Sequence, residues 1–179
     1  MAVAERRTLR FVDESGFLLL PAVARTYAPV GETPILRHRL AHDHRSGIGA
    51  VGLKAQFYCQ VHDHAIRSEA VVAFLRHRLR HVQRKLLVVW DGAPLHRSRV
   101  VKQFLPEEAP GRVHLERFPG YAPELDPEEY VWRHLKHVEL RNVCCADLVE
   151  PRRELRAGCQ RLRQKPHIIR ACVAHAGLI

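Results

Sequence analysis

Three acidic positions in this 179-residue chain stand where a fold would present them for chemistry. Asp13 ends an apolar run, Leu9 to Val12, and Asp91 ends another, Leu87 to Trp90, before a Gly-Ala-Pro turn. Asp126-Pro127-Glu128-Glu129 opens an amphipathic segment and puts carboxylates on its first turn. Two strand ends and one helix start, far apart in sequence, are a way to gather carboxylates into one shared site for a hard, oxygen-seeking cation.

The elements that must position these acids follow from periodicity. Thr8 to Asp13 and Phe17 to Leu20 read as two strands of a hairpin turning at Glu14-Ser15-Gly16. Residues 21–34, with three prolines, read as an irregular connection with a short strand around Tyr27, and the basic stretch 37–45 as a rim to the sheet. Ser46 to Leu53 and Ala55 to Val61 read as strands turning at Lys54. From Arg67 to Val82 the spacing becomes helical: Val71, Leu75, Leu79 and Val82 form the stripe, and Arg76, Arg78 and Arg80 a basic outer side. Lys85 to Trp90 is then a buried central strand reached by a parallel crossover. A helix from Arg97 to Leu105 stopped by Pro106, a strand Val113 to Phe118 and a proline-bounded loop lead to the helix at Asp126. That helix has Asp126 as N-cap, Pro127 in its first turn and Val131, Leu135 and Val138 as its buried stripe. Helical sequence follows Asn142, with Leu148, Leu155, Cys159 and Leu162 apolar, a break near Pro151, and a last short helix around Ile168 to Ala174. The division is a domain over 1–142 and a helical C-terminal extension over 143–179, packed on or beside it.

Composition bounds the class. An apolar content of 46% supports a real core. Lys and Arg total 29 against 19 Asp and Glu, a net charge of +10, which favours a polyanionic partner through release of condensed counterions. Five cysteines without a C-x-x-C pair exclude a disulfide framework and a zinc ribbon. Absence of a long apolar run excludes a membrane span, and the start has no signal-peptide core, so the expected location is cytoplasmic.

The blocks VDESGF, VVWDGAPLHRS and FPGYAPELDPEEYVWRHLK, with the connecting RTYAPVGETP, resemble the signature blocks of the insertion-sequence 630 and mariner superfamily of transposases, over roughly Leu9 to Asn142. The resemblance implies an α/β fold of ribonuclease H-like type, a mixed sheet flanked by helices, carrying a DDE endonuclease site. It implies Asp13, Asp91 and Glu129 as catalytic residues and ligands of two divalent cations, Mg2+ or Mn2+. The family's third block reads Asn-Pro, an apolar residue, then Glu; here Asp126 replaces Asn and Glu128 takes the apolar place, so Glu128 is the fallback ligand. Glu14, His96 and Asp126 would support the site. The implied reaction is hydrolysis of phosphodiesters at the element's ends and attack of the freed 3′-hydroxyl on target DNA, without a covalent protein intermediate. Double-stranded DNA, a separate or missing helix-turn-helix region before the first strand, and a homodimeric synapse are the implied partners. The alternative is an inactive remnant serving as a basic nucleic-acid-binding module.

Each residue also has a plainer reading. Asp91-Gly92 is a common turn pair, Asp13 precedes the turn glycine Gly16, and Glu129 is the third residue of a capping box begun by Asp126. His96 either meets a phosphate or lies on the surface at a helix start. The triplets His42-Asp43-His44 and His62-Asp63-His64 suit strand ends better than zinc, and Tyr130 and Trp132 suit the core better than base stacking. For DNA contact the candidates are Arg76, Arg78, Arg80, Arg97, Arg152 and Arg153, on the two arginine-rich faces.

Overall fold

The first strand is longer than its sequence pattern indicates. The computed structural model describes residues 7–18, 23–36, 44–144 and 150–179, and in it β1 runs unbroken from Thr8–Leu18. No turn forms at Glu14-Ser15-Gly16, because each of these residues is paired across β2 (His44–Gly52): Glu14 with Ile48, Ser15 with Gly47, Gly16 with Ser46. Pairing with β2 continues past this segment, so the backbone stays extended instead of turning. The remainder of the expected second strand, the stretch 37–43 and Leu148 lie outside the described residues. No strand forms around Tyr27, whose side chain is fully exposed.

β2 turns through Ala55 into β3 (Gln56–His62), α1 (Ser68–His81) crosses one face, and β4 (Leu86–Trp90) returns parallel to β1. A single turn at Pro94–Arg97 leads to α2 (Arg99–Glu108), and β5 (Val113–Arg117) joins β4 in parallel. Then come α3 (Pro127–His134), α4 (Glu150–Arg163) and α5 (Pro166–His175). The sheet order is β3-β2-β1-β4-β5. This is the expected mixed sheet flanked by helices.

Strand alternation divides the core. Val12, Ile48, Ala50 and Val88 face Val71, Phe74 and Leu75 of α1 and Val101 and Phe104 of α2. Phe17, Val51 and Phe57 face the other way, against Val131 and Trp132 of α3, Leu155 and Leu162 of α4 and Ile169 and Val173 of α5. α4 and α5 thus cover one sheet face. Pro151 falls in the first turn of α4, where a missing N–H interrupts nothing.

Three expectations need correction. Pro106 does not stop α2, which continues to Glu108; the bond it forfeits is on the exposed side, and Arg76 holds Glu108 through contacts of 2.6 Å. Val138 is exposed rather than in the α3 stripe, because a π turn over Leu135–Glu139, with the Leu140 N–H donating to the Leu135 carbonyl, rotates it outward. Arg78 is not on an outer basic side but buried against Tyr58. No helix among the described residues is long and apolar enough to cross a membrane.

Candidate active site

β1 and β4 pair in parallel from Thr8 with Leu86 to Phe11 with Val89, and the same offset carries Asp13 to the level of Asp91. Two aspartates therefore emerge side by side from the centre of the sheet. Asp91 ends its strand by accepting the Ala93 N–H at 2.9 Å, a local turn of the kind short acids make. Asp13 is held from the other layer: the Trp132 indole Nε1 donates to its Oδ2 at 3.1 Å. Trp132 is fully buried, edge-on to both Phe17 and Phe57, so the seat of α3 on β1 and the orientation of Asp13 are one packing event.

The start of α3 places the two glutamates differently. Asp126 is the N-cap, its carboxylate accepting the Glu128 N–H at 2.9 Å. The reciprocal half of a capping box is not made, because the Asp126 N–H already donates to the Pro123 carbonyl at 3.0 Å. Glu129 is exposed and released from that duty; with Asp13, Asp91 and Asp126 it lines a cleft of about 790 Å³. Glu128 points the opposite way. It is fully buried, both oxygens lack a hydrogen-bond partner, and burial, then Asp126 and Asp13, push its carboxyl well above the usual range. Glu128 thus sits in an apolar setting, where burial favours its protonated form. Gly49 opposite it admits no side chain: a Cβ would come within 2.7 Å of Trp132 and 2.9 Å of both Glu128 oxygens.

His96 ties the remaining acids together. Its ring stacks on Trp90 with centroids 4.2 Å apart, Nδ1 lies 2.8 Å from Asp91 Oδ1, and Nε2 lies 3.1 Å from both Glu14 oxygens. Burial works against the charged ring, but the hydrogen bond and charge of Glu14, with Asp91, outweigh it and raise the pKa. His96 is thus a buried clamp on Asp91 rather than a surface histidine.

Burial pushes Asp13 up to about 8, aided by Asp126, Glu14 and Glu129, and pushes Asp126 up to about 7, aided by Glu129, Asp91 and Glu14. Acids crowded this way repel one another, and a divalent cation relieves that repulsion. Among the described residues no three His, Cys, Asp or Glu are already gathered at ligand distance. Magnesium keeps several waters and takes one or two carboxylates, so an open cleft of hard oxygens fits it.

The chain matches the family model described as DDE superfamily endonuclease over residues 8–147. It belongs to that family. Its fold is similar to crystal structures of the Mos1 mariner transposase. The paired end complex with Mn matches at a TM-score of 0.61 and 17% identity, covering 95% of this chain and 56% of that one. A pre-cleavage Mos1 transpososome gives 0.61 and 16%, covering 97% and 57%. The Mos1 catalytic domain with Raltegravir and Mn gives 0.58 and 14%, covering 96% and 84%. The chain thus spans just over half the length of the full Mos1 chains. No curated protein sequence matches it.

Of the six candidate arginines of this DDE endonuclease family member, three are paired with acids of the chain itself. Arg76 pairs with Glu108, Arg152 with Asp63, and Arg153 with Glu150 and Glu154, whereas Arg80 and Arg97 are exposed and carry no ion pair among the described residues. Asp63 also meets Arg45, so its triplet serves ion pairs at the β3 end, and the first triplet's His42 and Asp43 lie outside the described residues. Tyr130 is half-buried against His175. Sequence reasoning missed Arg117, which lines the cleft beside Gly92 and pairs in register with Trp90. The signal was weak: β5 reads Val-His-Leu-Glu-Arg, and Arg117 is one of several polar residues along it.

Proposed function

We propose that this chain is the catalytic domain of a DDE transposase, residues 143–179 forming its helical C-terminal section. The observation that carries the reading is that Asp13, Asp91 and Glu129, from β1, β4 and the start of α3, line one cleft with Arg117. These three acids would hold two divalent cations, Mg2+ or Mn2+, which, when bound, supply neutralisation of phosphorane charge and activation of water or a 3′-hydroxyl. Support comes from the donor chemistry and from Mos1 structures with Mn and with Mg.

The chain's own residues do the positioning. Trp132 fixes Asp13 through its indole N–H, and His96 fixes Asp91 while neutralising Glu14. Arg117 offers a guanidinium fork to the scissile phosphate from the β5 side of the cleft. The substrate in this reading is duplex DNA at the ends of an insertion sequence and then at its target, in a homodimeric synapse in the nucleoid. End recognition belongs to a helix-turn-helix region in the same polypeptide or a partner's. An inactive remnant has no use for the retained acids, and nothing in the cleft favours it.

The test is cleavage of DNA bearing the element's ends, titrated with Mg2+ or Mn2+, by wild type and Asp91→Asn. Loss of cleavage with binding retained in EDTA supports the proposal. Equal cleavage by both proteins refutes it.

A further inference from the structure

At the outer edge of the sheet, arginines from three elements meet around one tyrosine, and no acid among the described residues pairs with them. Tyr58 belongs to the edge strand β3. The Arg78 guanidinium from α1 lies 3.6 Å from its ring centroid, and that of Arg10 from β1 lies 5.7 Å away. Arg10 is 9% exposed and Arg78 7%, and the Nε of each has no hydrogen-bond partner. Arg163, from the end of α4, donates to the Cys59 carbonyl at 3.0 Å and meets no carboxylate among the described residues. Arg78 and Arg163, with His77 and Gln60, line a cavity of about 240 Å³, room for several waters of about 30 Å³ each.

A guanidinium stays charged in a protein, and a buried one is normally paired with an acid, since contact with a ring offsets only part of its lost hydration. Burial, with Arg10 and Arg163, lowers the pKa of Arg78 against the opposing effect of Tyr58. A leucine or methionine at position 78 would fill the same face of α1 without that cost. Two guanidinium groups, Arg78 and Arg163, that line one pocket without an acid point instead to an anion that enters from solvent, and the planar fork of arginine matches the oxygens of a phosphate. Position supports the same ligand. Asp13 pairs with Gly49 and Gly49 with Cys59, so the carbonyl that anchors Arg163 stands level with Asp13, two strand spacings or about 10 Å across the sheet.

We propose that the pocket between β3, α1 and the end of α4 is a phosphate subsite, in which Arg78 and Arg163 grip one phosphodiester of the DNA backbone a few nucleotides from the scissile bond. The subsite rests on the DNA substrate proposed above and not on cleavage.

The experiment measures binding of a fluorescent 30-base-pair duplex to the full chain in EDTA across a series of NaCl concentrations. Arg163→Gln removes an exposed side chain, and Arg78→Met keeps the packed stem while removing the charge. Each lowers affinity about five- to tenfold and reduces the slope of log affinity against log salt by about one. Inorganic phosphate, against chloride at equal ionic strength, raises the melting temperature of wild type and not of Arg78→Met, which itself melts no lower than wild type. Unchanged affinity and slope in both variants overturn the proposal. Phosphate protection of wild type with DNA binding unchanged in the variants assigns the pocket to a free anion, and also overturns it. Loss of duplex binding in the variants alongside a wild type that binds but never cleaves leaves this subsite standing while the proposed function falls.

Discussion

Replacing Asp13 by Asn is expected to stabilise the metal-free protein while abolishing cleavage. Burial and the neighbouring acids lift the Asp13 carboxyl from an ordinary 3.8 to about 8, so at pH 7 the folded protein holds a proton that the unfolded chain has released. At about 1.4 kcal/mol per pH unit, the interval from 3.8 to 7 corresponds to about 4 kcal/mol of lost stability. Asp126, itself lifted to about 7, shares the same crowding, so removing one charge relaxes the other and the net gain is about 2–4 kcal/mol. Asn keeps an oxygen to accept the Trp132 N–H. For a domain of this size the gain corresponds to about 5–15 °C in melting temperature. The sign follows from the raised value: stability is complete below pH 3.8 and is lost as pH rises through about 8. Thermal or urea unfolding in EDTA from pH 4 to 8.5 therefore gives curves for wild type and Asp13→Asn that nearly coincide at pH 4 and separate toward pH 8. Saturating Mg2+ narrows the gap by stabilising wild type alone. Equal stability at pH 7.5, or a gap that widens toward acid, would refute the electrostatic reasoning.

Glu128→Ile is expected to raise stability increasingly above pH 4.5, since the buried carboxyl prefers its proton and loses stability as pH climbs, and to retain cleavage, whereas Glu129→Gln loses cleavage with little change in stability. Unfolding curves and a cleavage assay on both variants decide which glutamate belongs to the site. His96→Ala leaves Glu14, a carboxylate with 13% of its side chain exposed, without its cation and costs about 3 kcal/mol at neutral pH; the gap to wild type narrows at alkaline pH, where His96 with its raised pKa loses its charge, and the lost stacking on Trp90 keeps it open. Denaturant titrations at pH 6 and 9.5 check this. Trp132→Phe removes the N–H that holds Asp13, costs about 1–3 kcal/mol and lowers cleavage without weakening DNA binding in EDTA. Gly49→Ala forces a methyl against Trp132 and Glu128 and costs about 1–3 kcal/mol by chemical denaturation.

Much of this architecture is readable from the chain because burial and periodicity agree. Leu86 to Trp90 are apolar and flanked by polar sequence, and both central aspartates stand at the point where apolarity stops. Glu14 to Gly16 misled because Gly and Ser are read locally as a turn, whereas pairing across β2 is a long-range decision. Arg78 misled because a helical stripe is judged by side-chain type, and only the tertiary fold puts Tyr58 where it can face a guanidinium. The choice of Glu129 over Glu128 was open in sequence terms. It turns on which carbonyl takes the Asp126 N–H, a bond set by the single turn at Pro123–Leu125.

The parallel pairing of β1 with β4 has a consequence for how such a centre could fail. The two aspartates continue strands joined by a backbone ladder, whereas Glu129 rides on a helix held by side-chain packing, through Val131 and Trp132. Small tilts of that helix change the third acid's reach and leave the aspartate pair alone. Substitutions at Val131 or Trp132 should therefore displace the third acid before the aspartate pair, leaving the sheet intact while the cleft loses one of its carboxylates.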